Sequence, residues 1–447
     1  MKYEFQTLKF RFGRFGHLGL SLSTAIITIS LAACGGEKQG DSGNGGVVET
    51  GPAEGVVLPE PFATESVRNS SKMIGWPEGR APKAPPGFQV TLFADDLDNP
   101  RWIYILQNGD VLVAESLRES PNRQERSANR ITLFRDANKD GTPEVREIFL
   151  SDLNMPFGML LLGNWFYVGN TDSLFRYPYR EGQTRITAKG EKMLDLPAGG
   201  HFTRHVVADP DGLTLYISVG SGSNVDEDGK DAHDLRRAAI LEVNPDGKGM
   251  RVFASGLRNP VGMDWEPETK ALWTVVNERD GLGDQLVPDY LTRVQEGSFY
   301  GWPYSYFGQN EDPRKKGEQP DLVSMAIKPD YALGSHVAPL GLAFYTGMAF
   351  PRQYHGGAFV GMHGSWNRSR FVGYKVVFVP FRNGKPSGPM MDFLTGFVAN
   401  EENSEVYGRP VGVAVWHDGS LLVADDAGNK VWRVSYSATE IASKDLK

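Results

Sequence analysis

One cadence recurs six times along the chain. A Pro-x-Gly or similar opening leads into an alternating apolar strand. An Asp-Gly-type turn follows, then a second strand ending in an acidic or amide residue. The copies run from Pro100-Arg101-Trp102 to Val113-Ala114-Glu115, from Pro156-Phe157-Gly158 to Val168-Gly169-Asn170, and from Arg204-His205-Val206 to Ser218-Val219-Gly220. Three more run from Pro260-Val261-Gly262 to Val276-Asn277-Glu278, from Pro339-Leu340-Gly341 to Val360-Gly361-Met362, and from Pro410-Val411-Gly412 to Val423-Ala424-Asp425. The openings lie 56, 48, 56, 79 and 71 residues apart, room for four strands and inserted loops in each. A unit repeated at such a period buries its faces only against its neighbours. Six copies therefore predict an all-β chain folded as a six-bladed β-propeller. The strand Phe88–Phe93 precedes the first copy. It is expected to pair beside Lys430–Val434 and close the ring, leaving no free edge. No long stretch keeps helical spacing, which disfavours a barrel with outer helices.

Composition agrees where it bears on this. Glycine (52) and proline (28) are frequent for 447 residues, as short strands and turns require. A formal charge of −8 and the lack of a basic run argue against nucleic-acid binding. A single cysteine excludes an internal disulfide framework, a Cys-rich zinc site and a C-x-x-C-H haem attachment.

That cysteine closes a leader. Lys2, Lys9, Arg11 and Arg14 precede a largely apolar stretch, Leu18 to Ala33, that ends in Leu31-Ala32-Ala33-Cys34. The stretch is too short and wrongly flanked for a spanning helix and reads as a secretory signal. Its ending resembles a bacterial lipoprotein signal, which implies cleavage before Cys34 and lipid on its thiol. The plainer alternative is an ordinary signal whose cysteine is incidental. Residues 1–33 are thus expected to be the signal peptide and 34–60, rich in Gly, Ser and acidic residues, a flexible tether. Residues 61–86 form an N-terminal extension and 87–437 the propeller. The absence of Asp just after Cys34 points to outer-membrane anchoring if the host has two membranes. The domain would then face the periplasm or the exterior, touching the membrane only through lipid.

Five segments carry a family resemblance: Gly200-His201-Phe202-Thr203-Arg204 before the turn Asp209-Pro210-Asp211-Gly212, Leu257-Arg258-Asn259-Pro260-Val261-Gly262, Gly297-Ser298-Phe299-Tyr300-Gly301-Trp302-Pro303, His336-Val337-Ala338-Pro339, and Gly408-Arg409-Pro410-Val411-Gly412. In order and spacing they resemble the quinoprotein glucose/sorbosone dehydrogenases, six-bladed propellers that oxidise sugars with pyrroloquinoline quinone (PQQ). The similarity spans about Gly87 to Val434. It implies a small sugar substrate and, with no haem motif in the chain, a separate electron acceptor.

The resemblance assigns roles residue by residue. His201 matches the catalytic histidine, a base for the anomeric hydroxyl proton. Arg258 and Asn259 match the pair that touches the cofactor, the guanidinium stabilising the reduced ring. Arg409 matches an arginine that meets a cofactor carboxylate, and Arg368 stands about where the family has a cofactor-contacting lysine. Tyr331 and His336 fall where a tyrosine and a threonine line the pocket, so His336 is a departure. The cofactor's calcium would lie on backbone carbonyls around Asp280 and Gly281. Ser221 replaces the aspartate that orients the catalytic histidine, leaving that task to the serine or to a group such as Asn224. Outside such a context His201 would be read as a wall residue, Asn259 as part of an Arg-Asn-Pro turn, and Arg368 and Arg409 as solvated.

A separate motif, Asp136-Ala137-Asn138-Lys139-Asp140-Gly141 with Glu144, satisfies the twelve-residue calcium-loop template between strands. Asp136, Asn138, Asp140 and Glu144 would hold a structural calcium. A polar hairpin turn favours the same residues. Three functions stay open on sequence: a quinone-dependent sugar dehydrogenase, a calcium-dependent propeller hydrolase of the lactonase kind, and a cofactor-free binding module.

Overall fold

The computed structural model describes residues 47–119, 125–231 and 233–437. The leader, Cys34 and the first part of the expected tether lie outside these residues. Each of the six sequence copies heads one antiparallel sheet. The first holds Pro100–Ile105, Val111–Glu115, Arg130–Arg135 and Val145–Leu150 in that order. The second runs Met159–Leu162, Trp165–Asn170, Ser173–Pro178 and Glu191–Asp195, and the third Val206–Ala208, Leu215–Val219, Ala239–Val243 and Arg251–Ser255. The fourth is Pro260–Trp265, Leu272–Val276, Pro288–Arg293 and Tyr331–Ser335; the fifth is Pro339–Phe344, Ala358–Met362, Lys375–Val379 and Met391–Leu394. The sixth joins Pro410–Val415, Leu421–Asp425 and Lys430–Tyr436 to Phe88–Ala94. The first and last strands of the domain therefore pair, Val90 opposite Val434, as the sequence predicts.

Burial is deepest in the second strands and falls toward the outer edge, except in the fourth sheet, where Tyr331–Ser335 is buried throughout. Ala358–Met362 and Leu421–Asp425 are buried throughout, whereas Glu191–Asp195 has no buried residue. Inner strands covered on both faces read as continuous apolar runs; outer ones alternate. The first strand of each sheet packs on the first strand of the next, and the sixth packs back on the first. This close passage explains the opening glycine. A Cβ on Gly341 would lie 2.1 Å from the carbonyl oxygen of Val411 in the next sheet. Residues of all six first strands line one central cavity of about 380 Å³.

The segment before the first sheet departs from expectation. Residues 47–60 lie within the stretch predicted to be a tether, yet Thr50–Pro52 pairs antiparallel with Tyr331–Leu333 and becomes a fifth strand of the fourth sheet. An uncovered edge offers free N–H and C=O groups, and this strand takes them up. Glu49 beside it meets Arg368 with two contacts, at 3.0 and 3.1 Å. The chain then crosses the fourth, fifth and sixth sheets. Phe62 N–H donates to Leu282 O at 2.7 Å, Asn69 N–H to Trp366 O at 2.8 Å, and Lys72–Met73 runs parallel to Glu405–Val406. Trp76 anchors the far end, stacked on Tyr407 with its Nε1–H donated to Asp425 at 2.6 Å. No helix among the described residues is long and apolar enough to cross a membrane.

Candidate active site

At the end of the ring where the first strands begin lies a cavity of about 570 Å³. Its walls are the residues just before the first strands and just after the second strands. His201, Arg258, Asn259, Asp280, His336 and Arg409, six of the residues singled out by sequence, all line it. They come from segments up to 208 positions apart in the chain.

His201 is held by one carbonyl. The Ser221 oxygen accepts both its backbone N–H, at 3.0 Å, and its Nδ1–H, at 2.9 Å. A carbonyl only accepts, so Nδ1 carries the proton and Nε2 is left as a lone pair. The Ser221 hydroxyl gives its own proton to Ser223 O at 2.7 Å. Orientation thus comes from the backbone of Ser221, and Asn224 is committed elsewhere. Gly220 makes room: a Cβ there would sit 2.4 Å from Asn259 Oδ1 and 2.6 Å from His201 Cβ. Burial, then the charge of Arg258, push the imidazole down to about 3, so it is neutral at ordinary pH.

Arg258 is fully engaged. Its Nε donates to Asn224 O (3.1 Å), Nη1 to Glu278 O (2.6 Å) and Asn277 O (3.3 Å), and Nη2 to Asn224 Oδ1 (3.0 Å) and Asp280 (3.5 Å). Five donors meet five acceptors, so the guanidinium is a fixed positive charge at the cavity wall. Asn224 also brackets the backbone of Asp280, accepting its N–H and donating to its C=O, both at 2.9 Å. Sequence reasoning weighed Asn224 only as a partner of His201. Its role as the link between Arg258 and the Asp280 loop has no local signal.

Asn259 and Arg409 are the unfilled groups. Asn259 Oδ1 is buried with no hydrogen-bond partner among the described residues. Arg409 is sunk in the wall, and its guanidinium donates to the carbonyls of His363 (2.9 Å) and Gly364 (2.6 Å). Burial lowers its pKa. A buried cation bonded only to neutral oxygens, beside an orphaned amide, suits an anionic ligand with hydrogen-bonding oxygens. A quinone carrying carboxylates is such a group.

The Asp280 corner fits a dication less well. Its carboxylate takes a hydrogen bond from Asn367 (2.6 Å) and lies 3.6 Å from His336 and 3.5 Å from Arg258. Burial would raise its pKa, but His336, Arg258 and Asn367 together hold it below the ordinary value. With N–H groups and positive charge on three sides, the side chain is already engaged, although 27% of it stays exposed at the cavity. Gly281 is not among the cavity's lining residues. His336 itself is raised, its burial outweighed by Asp280 and by Gly283 O at 3.0 Å. The imidazole thus ties the loop together.

Two expected lining residues do not reach the cavity. Tyr331 is in the fourth strand of its sheet, packed between sheets, and its hydroxyl donates to Gly388 O at 3.1 Å. Arg368 turns to Glu49 and to Ser335 O, and its neighbours Trp366 and Asn367 line the cavity instead. Sequence reasoning also missed His363 and Asp426. His363 Nε2 lies 2.9 and 3.0 Å from the two Asp426 oxygens, and Asp426 also pairs with Arg101. Both follow a second strand directly, the position that supplies Asn277 and Glu278 to this cavity, and that regularity was the available signal.

The Asp136 loop joins the third and fourth strands of the first sheet. Ligand oxygens of Asp136, Asp140 and Glu144 lie within 4.8 Å of one another, the one such grouping among the described residues. Backbone N–H groups of Lys139 (2.7 Å) and Gly141 (2.8 Å) already bond Asp136, and Ala137 N–H bonds Glu144 (2.8 Å). Asn138 bonds Asp140 at 3.0 Å. This geometry serves a turn as well as an ion.

Comparison with known proteins decides the family. The profile of the TrAA12-like family matches residues 82–437. The chain belongs to this family. A relative from Borreliella burgdorferi, described as an uncharacterized protein, is 30% identical over 370 residues, 79% of this chain and 90% of that one. The pyrroloquinoline quinone-dependent pyranose dehydrogenase of Coprinopsis cinerea is 25% identical over 413 residues, 77% of this chain and 53% of the fungal protein. The chain therefore spans about half of that relative's length. The holo PQQ domain of the Coprinopsis enzyme superposes with a TM-score of 0.66 at 22% identity, over 81% of this chain and 99% of that domain. A calcium structure of the Trichoderma reesei AA12 enzyme gives 0.68 at 19% identity, over 83% and 99%. The TrAA12-like family is thus a quinoprotein sugar dehydrogenase-like family with a β-propeller-type fold.

Proposed function

We propose that this protein is a PQQ-dependent dehydrogenase that oxidises a sugar at a CH–OH group and passes the electrons to a separate acceptor. One observation carries the reading: His201, Arg258, Asn259 and Arg409, distant in sequence, converge on one cavity with the protonation and hydrogen-bonding states the reaction needs. Family membership supports an oxidoreductase acting on sugars. We take the six sheets as the blades of a six-bladed propeller and the cavity as the mouth of its axis.

Bound PQQ would supply the hydride acceptor. His201 receives the hydroxyl proton at Nε2, because Nδ1–H is committed to Ser221 O and the ring is neutral. The Ser221 carbonyl then faces the imidazolium and steadies its charge. Arg258 holds positive charge at the wall without moving, so no reorganisation is needed as negative charge builds. Arg409 and Asn259 would anchor the cofactor's carboxylates and oxygens. Calcium is supported for the family by its relatives; here it would rest on backbone oxygens, since the Asp280 side chain is committed. The leader and Cys34 support a lipid-anchored protein facing the periplasm or exterior.

The test adds the quinone and calcium to purified protein with a dye acceptor and a sugar panel. Sugar-dependent dye reduction that needs the quinone is expected. No turnover with any aldose while the quinone binds would overturn the reading.

A further inference from the structure

The cavity at His201 does not end at its own walls. A second one of about 770 Å³ adjoins it at a waist formed by Arg101, Arg118, Phe202, His363 and Arg409, which line both. Beyond the waist the walls change. Ser71 and Met73 come from the segment that crosses the sheets, and Ala427 and Asn429 from the turn closing the sixth sheet. The second cavity exists because that crossing segment is pinned in place, by Asn69 to Trp366 and by Lys72–Met73 to Glu405–Val406.

Its chemistry is specific. At the waist the Asp426 carboxylate holds His363 Nε2 and pairs with Arg101, both side chains being nearly buried. His363 Nδ1 has no hydrogen-bond partner among the described residues and is not sealed from the cavity. Burial and Arg409 push this imidazole down to about 4, so Nδ1 is a standing acceptor. Arg101 Nε is buried without a partner. The Phe202 ring, with the Arg101 guanidinium 5.4 Å from its centroid, adds an apolar surface, and Met73 another. Charge is close to balanced: four arginines (101, 118, 126, 409) stand against Asp98, Glu125 and Asp426. Such a lining favours neither an anion nor a cation. It suits a neutral molecule with an apolar face and hydroxyls on its rim, that is, a sugar ring.

We propose that the second cavity is a subsite for a further sugar unit, so that a disaccharide binds with its reducing-end ring at His201 and its second ring beyond the waist. This rests on the sugar-oxidising reading above. The experiment uses two plugs that line the second cavity alone, Ala427→Trp and Ser71→Trp. Steady-state oxidation is measured for a monosaccharide and for a disaccharide with the same reducing unit. Calorimetry follows a methyl glycoside of that disaccharide, which is blocked at the anomeric carbon. The wild type should bind the glycoside, and each plug should raise the disaccharide KM at least tenfold. Monosaccharide kcat and KM should stay within twofold, which also certifies the fold. An unchanged disaccharide KM in a plug that keeps monosaccharide turnover overturns the subsite, as does wild-type protein that oxidises monosaccharides but neither binds the glycoside nor turns over the disaccharide. Wild type that oxidises no sugar would sink the sugar-oxidising reading, and the subsite with it.

Discussion

His201 and His205 stand four residues apart, and burial pushes both down to about 3. They live in different regions. His201 is on the cavity surface, with Nδ1 on a carbonyl and Nε2 open. His205 is in the layer behind it: Nδ1 accepts Met263 N–H at 3.0 Å, and the ring lies 4.1 Å from Trp102. A depressed pKa is therefore no mark of function. What separates the two is the cavity each faces: His201 lines the one it shares with Arg258 and Arg409, His205 the central one lined by the first strands. The arginines repeat the lesson, since Arg409 keeps an open face in the cavity wall while Arg368, behind it, is closed by Glu49.

The largest expected effect tests this contrast directly. His201→Ala should still bind the quinone but lose roughly 10²–10⁴ in turnover, measured by stopped-flow reduction of bound quinone by sugar. His205→Ala should instead cost ~2–4 kcal/mol of stability, from a cavity and an unpaired amide, with quinone reduction near normal in the folded fraction. Wild-type rates in His201→Ala would break the comparison. Because His201 stays neutral until its pKa of about 3, the acid limb of wild-type activity should appear only below about pH 4.

Next come the arginines. Arg409→Ala should weaken quinone binding about 10–100-fold, the worth of a charged hydrogen bond, whereas Arg368→Ala should change it less than about twofold. Titration of quinone fluorescence reads both. Equal losses would mean that the layer behind the wall shapes the site as strongly as the wall itself.

A smaller effect concerns two buried carboxyls of the cavity wall. Burial raises Glu278 and Asp289 to about 7. A folded pKa above the unfolded one means the folded state holds its proton longer. Stability is therefore lost as pH rises from about 4 through 7 and stays lost above. Glu278→Gln mimics the protonated form, so it should gain ~1–2 kcal/mol at pH 8 and nothing at pH 4. Paired thermal melts check it, and a gain at pH 4 would assign the effect to packing.

The smallest lies far from the cavity. If the Asp136 loop holds calcium, ten times its Kd adds about 1.4 kcal/mol. Chelator should lower Tm of the quinone-free protein, and an Asp136→Ala, Asp140→Ala double variant should lose that response. An identical shift in the variant would put the relevant ion elsewhere.

What could be read from sequence divides along the same line. The cadence from Pro100 to Asp425 showed the sheets, because each copy answers to local rules: a period of two, an Asp-Gly turn, a glycine where backbones touch. The ring-closing pair followed from the need to hide edges. Five of the residues with assigned roles toward substrate or cofactor (His201, Arg258, Asn259, His336 and Arg409) met in the cavity because they sit just before first strands. Tyr331 and Arg368 did not, since the Tyr331 side chain packs between sheets with its hydroxyl on Gly388 O and Arg368 turns to Glu49, some 320 residues away, which no local pattern reveals. Asn224, His363 and Asp426 escaped for the same reason. The role of each is made by a partner distant in the chain.

One feature of the fold governs how the molecule comes into being. The strand Phe88–Ala94 has its partner at Lys430–Tyr436, so the earliest-made element of the domain waits for the latest. The sixth sheet is not complete until residue 436 is synthesised, and until then the fifth and first sheets each lack their neighbour on one side. The growing chain gains little by folding ahead of its end, and pairing across some 340 residues is slow to find. A long-lived open chain is a hazard in solution. The same latch makes the closing strand Lys430–Tyr436 indispensable: truncation before Lys430 should yield no folded fragment, whereas joining the termini of a permuted chain cut in another sheet should preserve the ring.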